Sequence, residues 1–394
     1  MPPQNNTDSD SKVKEWDIKM GYVAVKGGTY AIEESIKRLK YERLKKGCVE
    51  DFHRIEGGMR SLIDQIMSES SLYSETLAAI ALKQAEGSPE EAVFLLRAYR
   101  STLHRTHYSR VVDTKAMQVE RRISSSFKDI PGGQILGASC DYTHRLIDFD
   151  LVHETEAEGL EWLRNYRNEQ NTVDEATDLK QLPKVLDYLR QEGLLPHIPD
   201  NDTEPDDVTR ESVQFPTTRS QRMQMLTRGQ TGAVTSFGYA ALRGYGAFHP
   251  TVGELRIGRL PVCVANPFNP QDEEEDSYYI GEICVTEVET LFPVQAQKPG
   301  GKKELEFDIG YGICFGQNET KAIAMSILDE CLEVGNTEYP THDEEFVLYH
   351  IDSVEATGFI SHLKLPHYVT FQSKLDSVRK SMGKHRQDME SIEE

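Results

Sequence analysis

The sequence predicts an α+β fold, in which a helical N-terminal part is followed by a mixed α/β half with antiparallel strands. Up to about residue 110, apolar residues recur at helical spacing, and capping residues stand at the ends of these runs. Beyond residue 213, alternating and β-branched segments are typical of strands. Because the helices come first and the strands follow, this order favours α+β over a doubly wound parallel sheet.

The chain divides by composition into five predicted regions. Strands are predicted at residues 22–25, 261–265 and 279–291, where β-branched and aromatic residues cluster between turn signals. The regions are a disordered extension (1–19), a helical N-terminal region with a phosphate-binding loop (20–150) and an acidic polar connector with one helix (151–212). They are followed by a mixed α/β region with a histidine pair (213–376) and a charged tail that frays (377–394).

Three helices have clear boundaries in the sequence. Ser88 precedes Pro-Glu-Glu, so its hydroxyl is placed to accept the amide hydrogen of Glu91, and proline at the first helical position loses no needed donor. A second helix is predicted near residues 183–193. A third begins after Asn318 and ends at Gly335.

Charge and composition exclude some classes of function. The 394 residues include 44 Lys and Arg against 65 Asp and Glu, which gives a formal net charge of −21. This charge argues against non-specific nucleic-acid binding but leaves room for a local basic pocket. No apolar run approaches the ~18 residues of a membrane span, and we expect no secretory signal. The six cysteines form no C-x-x-C pair, so we expect reduced, mostly buried thiols in a cytoplasmic protein.

Residues 120–149 combine cations, glycines and carboxylates in one segment. Its Pro-Gly-Gly turn lets backbone amides approach a ligand closely, and the flanking cations complement an anion. A sugar that bears phosphates would need this mixture; the alternative is a structural turn with surface salt bridges. The residues are Arg121, Arg122, Lys128, His144 and Arg145, Gly132 and Gly133, and Asp129, Asp141 and Asp148.

A second glycine-rich segment, residues 243–258, carries Arg243, His249, Glu254 and Arg256. Its glycine density indicates a backbone that turns sharply or approaches a ligand. A β-hairpin with strained turns is an equally good interpretation.

His362 and His367 have a spacing found in the histidine halves of zinc sites. The intervening proline interrupts a regular helix, so a turn is able to bring both imidazoles to one ion. Two ordinary polar histidines are the alternative. The rest of the ligand shell would come from His342, from His350 or from another chain. The nearby carboxylates of residues 343–345 are typical of a helix N-terminus.

Several segments resemble one family, the I subunit of the carbon–phosphorus lyase core complex, which bacteria use to take phosphorus from alkylphosphonates. The resembling segments extend over residues 20–376. One departure is the sequence FDI before Gly310-Tyr311-Gly312, where the family has a basic residue. The segments are MGYVAVKGG (20–28), LLRAYRSTL (95–103), ERRISSSFKDIPGGQILG (120–137), DYTHRLIDF (141–149), RGYGAFHP (243–250) and DEEFVLYH through SHLKLPHYV (343–369).

The resemblance implies a complex with two copies each of subunits G, H, I and J, a homodimer contact, an assisting subunit L and an associated ATP-binding-cassette subunit K. It implies displacement of adenine from Mg-ATP by an alkylphosphonate, which gives ribose 1-alkylphosphonate 5-triphosphate, and purine nucleosidase activity for the subunit alone. It also implies a zinc ion shared with the radical S-adenosylmethionine subunit J.

We carry these roles onto the matching residues as expectations. Phosphate oxygens are expected to be bound by Arg121, Arg122, Lys128, Gly132, Gly133, Arg145, Arg243 and Arg256. The catalytic candidates facing the sugar, the purine or the nucleophile are Asp141, His144, Asp148, His249 and Glu254. The metal ligands are His362 and His367. The competing hypotheses are a non-catalytic scaffold that seats the radical subunit through the shared zinc, and a stand-alone zinc hydrolase.

Overall fold

The computed structural model describes residues 28–170, 182–195, 198, 201, 203–246, 249–269, 276–297, 303–336, 338–365 and 367–393. The chain forms two compact units, Met1–Asp51 and Phe52–Glu394. In the first unit the described part is dominated by one helix with no buried residue. The predicted extension at residues 1–19 and the predicted strand at residues 22–25 lie outside the described residues.

The described residues contain thirteen α-helices and four β-strands, which confirms the α+β fold. The helices are α1 (Thr29–Leu44), α2 (Phe52–Gly58), α3 (Arg60–Ser70), α4 (Glu75–Gln84), α5 (Pro89–Ser101), α6 (Glu156–Gln170), α7 (Val185–Gln191), α8 (Arg219–Arg228), α9 (Thr231–Ala240), α10 (Glu319–Val334), α11 (Glu344–His350), α12 (Ser353–His362) and α13 (Tyr368–Glu393). The strands are β1 (Gln118–Ile123), β2 (Thr251–Val264), β3 (Tyr278–Gln297) and β4 (Lys303–Phe315).

The four strands form one antiparallel sheet in the order β1-β2-β3-β4. Helix α10 packs directly on one face of this sheet, over a core that includes Val288 and Leu328. The close approach requires glycine on β4, because a Cβ on Gly310 would lie 2.0 Å from the carbonyl oxygen of Ser326. This face is therefore the apolar face of the sheet.

The opposite face of the sheet carries charged side chains in two rows. Antiparallel pairing places Arg122, Arg256 and Glu287 opposite one another on three strands. The pairing of Glu254 with Glu289 forms part of the next row. Residues opposite each other share a face, so the register places Arg122 beside Arg256, and Glu254 beside Glu289, as like charges. Within the register only Arg256 and Glu287 are opposite charges, and the other countercharges must come from neighbouring rows and from a covering segment.

A separate helical core forms between α2, α3, α4 and α5, with Ile66, Met67 and Leu82 fully or almost fully buried. The predicted cap of α5 is confirmed, since the Ser88 hydroxyl accepts the Glu91 amide hydrogen at 3.3 Å. The boundaries predicted for α10 are also confirmed: Asn318 precedes it and Gly335 ends it in the left-handed conformation.

The structure differs from several other sequence predictions. The connector contains α6 in addition to the predicted α7, and α13 continues through the charged tail to Glu393. All six cysteines are free, as expected, but only Cys314 and Cys331 are buried, so the prediction of mostly buried thiols is wrong. No helix among the described residues is both long and apolar enough to cross a membrane.

The burial of Glu330 on α10 should make the free energy of unfolding depend on pH. Burial, followed by the negative charges of Asp308, Asp329 and Glu333, raises the pKa of Glu330 to about 7 from 4.5. The folded state therefore keeps this proton at pH values where the unfolded chain has released it, and stability is lost as pH rises from about 4.5 to 7.

We expect Glu330→Gln to raise the free energy of unfolding at pH 8 by about 1–2 kcal/mol more than at pH 4.5, after allowing for solvent screening. Urea denaturation at the two pH values measures the difference. Glu345→Gln, at an exposed position on α11, is the control and should show no such dependence. An equal effect of Glu330→Gln at both pH values would contradict the assignment.

Candidate functional site

The charged face of the sheet holds a buried ion pair between Arg122 on β1 and Glu254 on β2. Their side chains are 0% and 2% exposed, and the guanidinium Nε lies 2.6 Å from Glu254 Oε1. Arg122 also donates to the carbonyl oxygens of Pro131 and Pro183, at 2.5 and 2.8 Å. Glu254 accepts the Val185 amide at 2.9 Å. Through these hydrogen bonds, the ion pair connects the Pro131-Gly132-Gly133 turn and the start of α7 to the sheet.

A second buried group is centred on Glu287 of β3. This carboxylate pairs with Arg256, accepts from Lys184 Nζ at 2.8 Å and accepts from the Tyr311 hydroxyl at 2.9 Å. Arg256 donates in addition to the carbonyl oxygen of Thr114 at 3.0 Å. Lys184 comes from the segment before α7, so the covering segment supplies the countercharge that the register requires.

The electrostatics of Glu287 follow from this arrangement. Burial raises the pKa of its carboxyl, but the positive charges of Arg256 and Lys184 outweigh burial and hold the pKa at about 2. Burial and the neighbouring Glu287 charge raise the pKa of Tyr311 well above its usual value. At neutral pH the carboxylate is thus ionised and the phenol is protonated.

The network ends at Glu289, which lies 2.7 Å from Arg190 and 3.6 Å from Lys184. Glu289 borders a cavity of about 510 Å³ that Arg219 and Tyr311 also line. Its second carboxylate oxygen has no hydrogen-bond partner among the described residues. The cavity is therefore the place where the buried network meets open space.

Arg121 forms a different cluster at the edge of the sheet. Its guanidinium lies 2.6 Å from Asp141 and 3.1 Å from Glu319 at the start of α10. Asp141 is half-exposed and also contacts Arg145 at 3.3 Å. Two of the predicted cations therefore converge on one predicted carboxylate, and this carboxylate is accessible.

The glycine turn is shaped by packing. Gly132 and Gly133 have φ values of +81° and +72°, and a Cβ on Gly132 would lie 2.4 Å from Leu182 Cδ2 and 3.2 Å from an Arg122 nitrogen. The Gly133 amide donates to the Ile130 carbonyl at 2.9 Å. Gly132 therefore leaves room for Leu182 and for the Arg122 guanidinium, whereas Gly133 is favoured by its positive φ alone.

The second glycine-rich segment does not form a hairpin. Ala241–Tyr245 is a π-helical turn that continues α9, and β2 begins only at Thr251 and pairs with β1 and β3. The Tyr245 carbonyl accepts from the Thr341 hydroxyl. Arg243 is exposed, 5.8 Å above the Tyr239 ring.

The two histidines flank the break between α12 and α13. His362 is the last residue of α12, and its ring centroid lies 5.5 Å from that of His367. The Nδ1 atoms of both rings lie within hydrogen-bond distance of backbone carbonyl oxygens, of Phe359 and Leu365 respectively. With a proton on each Nδ1, both Nε2 atoms keep a lone pair for a metal ion, which is the usual way a backbone carbonyl orients a histidine ligand.

The surface around these histidines is apolar and exposed. Exposed large side chains include Phe359, Leu363 and Tyr368, with 64–70% of each accessible. No group of three or more His, Cys, Asp or Glu side chains among the described residues is arranged to hold a metal ion. His342 is buried elsewhere, at 6% exposure, and His350 contacts Phe346. The pair is thus two neighbouring imidazoles on an apolar surface that is exposed among the described residues.

The remaining predicted site residues stand apart. His144 and Lys128 are exposed, Asp148 accepts the Asp150 amide at 3.0 Å, and His249 is exposed beside the Pro250 carbonyl.

Sequence reasoning missed Lys184, Glu287, Glu289, Arg190 and Tyr311. The available signal was two acids spaced by two residues in an otherwise apolar strand, in the stretch VTEVETL.

An α+β chain whose buried cations are neutralised internally, and whose paired histidines stand on exposed apolar surface, has the features of a protein that works as one subunit of an assembly. The family model described as "Bacterial phosphonate metabolism protein (PhnI)" matches residues 21–385. The chain belongs to this PhnI family, which confirms the resemblance drawn from the sequence.

Similar proteins agree over nearly the whole length. HtxH of Stutzerimonas stutzeri is 42% identical over 372 residues, which cover 93% of this chain and 97% of that protein. Two proteins named "Alpha-D-ribose 1-methylphosphonate 5-triphosphate synthase subunit PhnI" are also similar. The one from Escherichia coli (strain K12) is 40% identical over 91% of this chain and 98% of its own length. The one from Rhizobium meliloti (strain 1021) is 41% identical over 92% and 95%.

The buried network makes a direct stability prediction. We expect Glu287→Gln to lower the free energy of unfolding at pH 7 by about 3 kcal/mol, because Arg256 then lacks its buried countercharge and Lys184 keeps only the more distant Glu289. The difference should shrink as pH falls from 4.5 towards 2, since wild type loses this contribution as Glu287 is protonated.

Denaturant titrations at several pH values measure this effect. The matched control is Glu120→Gln on β1, whose ion pair with Arg259 has both side chains about half-exposed; it should change stability by less than about 0.5 kcal/mol. Equal effects of the two substitutions would show that the Glu287 pairs contribute no more than a surface bridge.

Proposed function

We propose that this chain is the I subunit of a carbon–phosphorus lyase core complex, and that with its companion subunits it displaces adenine from Mg-ATP by an alkylphosphonate such as methylphosphonate. The product is α-D-ribose 1-methylphosphonate 5-triphosphate, and the chain alone acts as a purine nucleosidase. The observation that carries this proposal is the identity of about 40%, over more than 90% of the chain, to subunits that bear the synthase name.

The reaction sets requirements that a protein of this kind has to meet. Breaking the N-glycosidic bond builds positive charge on the ribose, which a nearby carboxylate stabilises. A proton or hydrogen bond helps the purine to leave. The phosphonate dianion is already nucleophilic, so the protein mainly holds it in line with the anomeric carbon. The triphosphate needs cations that are accessible to it.

Exposure divides the proposed site residues into two roles. The accessible residues Lys128, Asp141 and Arg145 are the ones that meet substrate, together with His144, Asp148, Arg243 and His249. Arg122, Glu254 and Arg256 are positioning residues, because their charges are already paired inside the protein. Arg121 positions the Asp141 carboxylate, and Arg122 donates to the Pro131 carbonyl next to the Gly132-Gly133 turn.

The histidine pair is proposed to hold zinc together with the radical S-adenosylmethionine subunit J. Two orienting carbonyls and two free Nε2 atoms fit a zinc ion, and a closed tetrahedral shell needs two more ligands. Exposed apolar side chains around the pair fit a partner surface. Zinc bound there would join the two subunits by coordination. Subunits G and H complete the core, L assists, K associates, and two copies of this chain are in contact.

A scaffold without catalytic residues is the second candidate. It is favoured by the internal pairing of Arg122 and Arg256, which leaves fewer cations for a nucleotide, and by the apolar surface around the histidines. A scaffold predicts that substitutions at accessible cations affect assembly and leave turnover of the assembled complex unchanged.

Substitution at an exposed cation separates the two candidates. We expect Lys128→Ala to lower kcat/KM for ATP by roughly 10–100-fold in the assembled complex, through loss of one charge-assisted phosphate contact. Mass spectrometry of adenine and ribosyl phosphonate measures the rate. Lys40→Ala, at an exposed position on α1, is the control. Unchanged turnover of the assembled Lys128→Ala complex, with any loss confined to the amount of complex that forms, would favour the scaffold.

The zinc proposal has its own test. His362→Ala and His367→Ala should each lower the zinc content of the assembled complex by at least half, while the isolated chain keeps its thermal stability because His367 is exposed and His362 is only half-buried. Metal analysis of the purified complex measures occupancy. His350→Ala is the matched control, since His350 Nδ1 also contacts a backbone carbonyl. Full zinc occupancy in both variants would refute the assignment.

A further inference from the structure

An arm of the protein, defined here as residues 140–169, has no buried residue. Gly159 is half-buried, and every other residue of the arm is exposed. The arm contains α6 and the irregular chain that leads to it. Its root contacts the sheet edge through Asp141 and Arg121. The arm is thus a segment with defined secondary structure and no core of its own.

The composition of the arm does not suit exposure to water. The irregular part includes Leu146, Ile147, Phe149 and Val152, each of which has 74–83% of its surface accessible. Such a series of large apolar side chains goes beyond the scattered single residues that are normal on protein surfaces, and contiguous apolar patches mark interaction sites.

Helix α6 carries further exposed apolar side chains. Leu160, Leu163 and Tyr166 recur at three-residue intervals, and Trp162 stacks on Tyr166 with ring centroids 5.1 Å apart. At 100° per residue these four side chains occupy one side of the helix. A 15-residue helix is marginal in water without tertiary packing, yet none of its apolar residues is buried. Among the described residues, the helix therefore has no surface that buries its apolar side.

The charge of the arm indicates what covers it. It carries eight carboxylates and three arginines, in a chain whose net charge is −21. A second copy of the arm would place eight carboxylates against eight, and an anionic lipid surface would be repelled in the same way. A protein with an apolar groove bordered by lysine and arginine complements both the apolar stripe and the acidic rim.

We propose that the arm docks into a basic-rimmed apolar groove on a different subunit of the complex; this inference rests on the proposed function. The arm begins with the candidate site residues Asp141, His144, Arg145 and Asp148. A subunit bound to the arm would therefore lie next to the candidate site. A partner seated on α6 would exclude water from the neighbourhood of these residues.

Tryptophan emission tests the docking directly. The chain has two tryptophans, Trp16 and Trp162, so Trp16→Phe leaves Trp162 as the single reporter. On assembly with co-purified companion subunits whose tryptophans are replaced by phenylalanine, we expect a blue-shifted Trp162 emission maximum and at least two-fold weaker quenching by acrylamide. Unchanged emission and quenching in a fully assembled complex would overturn the proposal.

A pair of double variants separates packing from charge. Leu163→Asp with Tyr166→Asp places two acids on the apolar side of α6, and Asn165→Asp with Asn168→Asp places the same two acids on its polar side. We expect the first to weaken assembly at least ten-fold and the second to weaken it less than three-fold. All four positions are exposed, so the isolated chains should melt at similar temperatures. Equal assembly of the two variants contradicts the proposal.

The nature of the partner is tested by charge reversal. Glu158→Lys with Glu161→Lys should weaken assembly at low salt, and added salt should then relieve the loss. Arm-dependent dimerisation of the chain alone in sedimentation, or arm-dependent binding to phosphatidylserine vesicles, would overturn the proposed occupant. Assembly is measured without substrate. A complex that needs the arm but releases no adenine refutes only the proposed reaction, whereas an active complex indifferent to the arm variants refutes only the docking surface.

Discussion

The structure depends on pairing every charge that the sheet buries. Arg122 with Glu254, and Arg256 and Lys184 with Glu287, lie on a face that residues 182–195 cover. Charges removed from water are tolerated only when countercharges and hydrogen bonds replace the lost hydration. This requirement fixes the positions of the covering segment and of the glycine turn, because both supply partners to Arg122.

Under the proposed function, the same pairing limits which cations could bind substrate. Cations that are neutralised inside the sheet have little charge left for an anionic ligand, so accessible residues such as Lys128 and Arg145 are the proposed phosphate contacts. Two uncovered apolar surfaces, around His362 and along α6, lie on the outside of the chain. Both features fit a protein whose site is completed by other subunits, in agreement with the synthase-subunit names of its relatives.

Much of the fold could be predicted because local physics decides it. The Ser88 cap, the Gly335 stop and the order of helices and strands depend on residues a few positions apart. Helix α6 was not predicted, because charged and polar residues interrupt its apolar ones and none of its residues 156–169 is buried. The ion network was not predicted either, since Arg122 and Glu254 are 132 residues apart.

By itself the sequence determined the α+β class, the family and the two histidines at the α12–α13 break, because capping, hydrophobic period and motif spacing are properties of short segments. Only the tertiary structure decided which charges are buried and which meet solvent. Arg121 and Arg122 are adjacent in sequence, yet Arg121 holds an accessible carboxylate and Arg122 an enclosed one. The physical reason is that desolvation and ion pairing depend on neighbours in space, which strand register and the covering segment bring together.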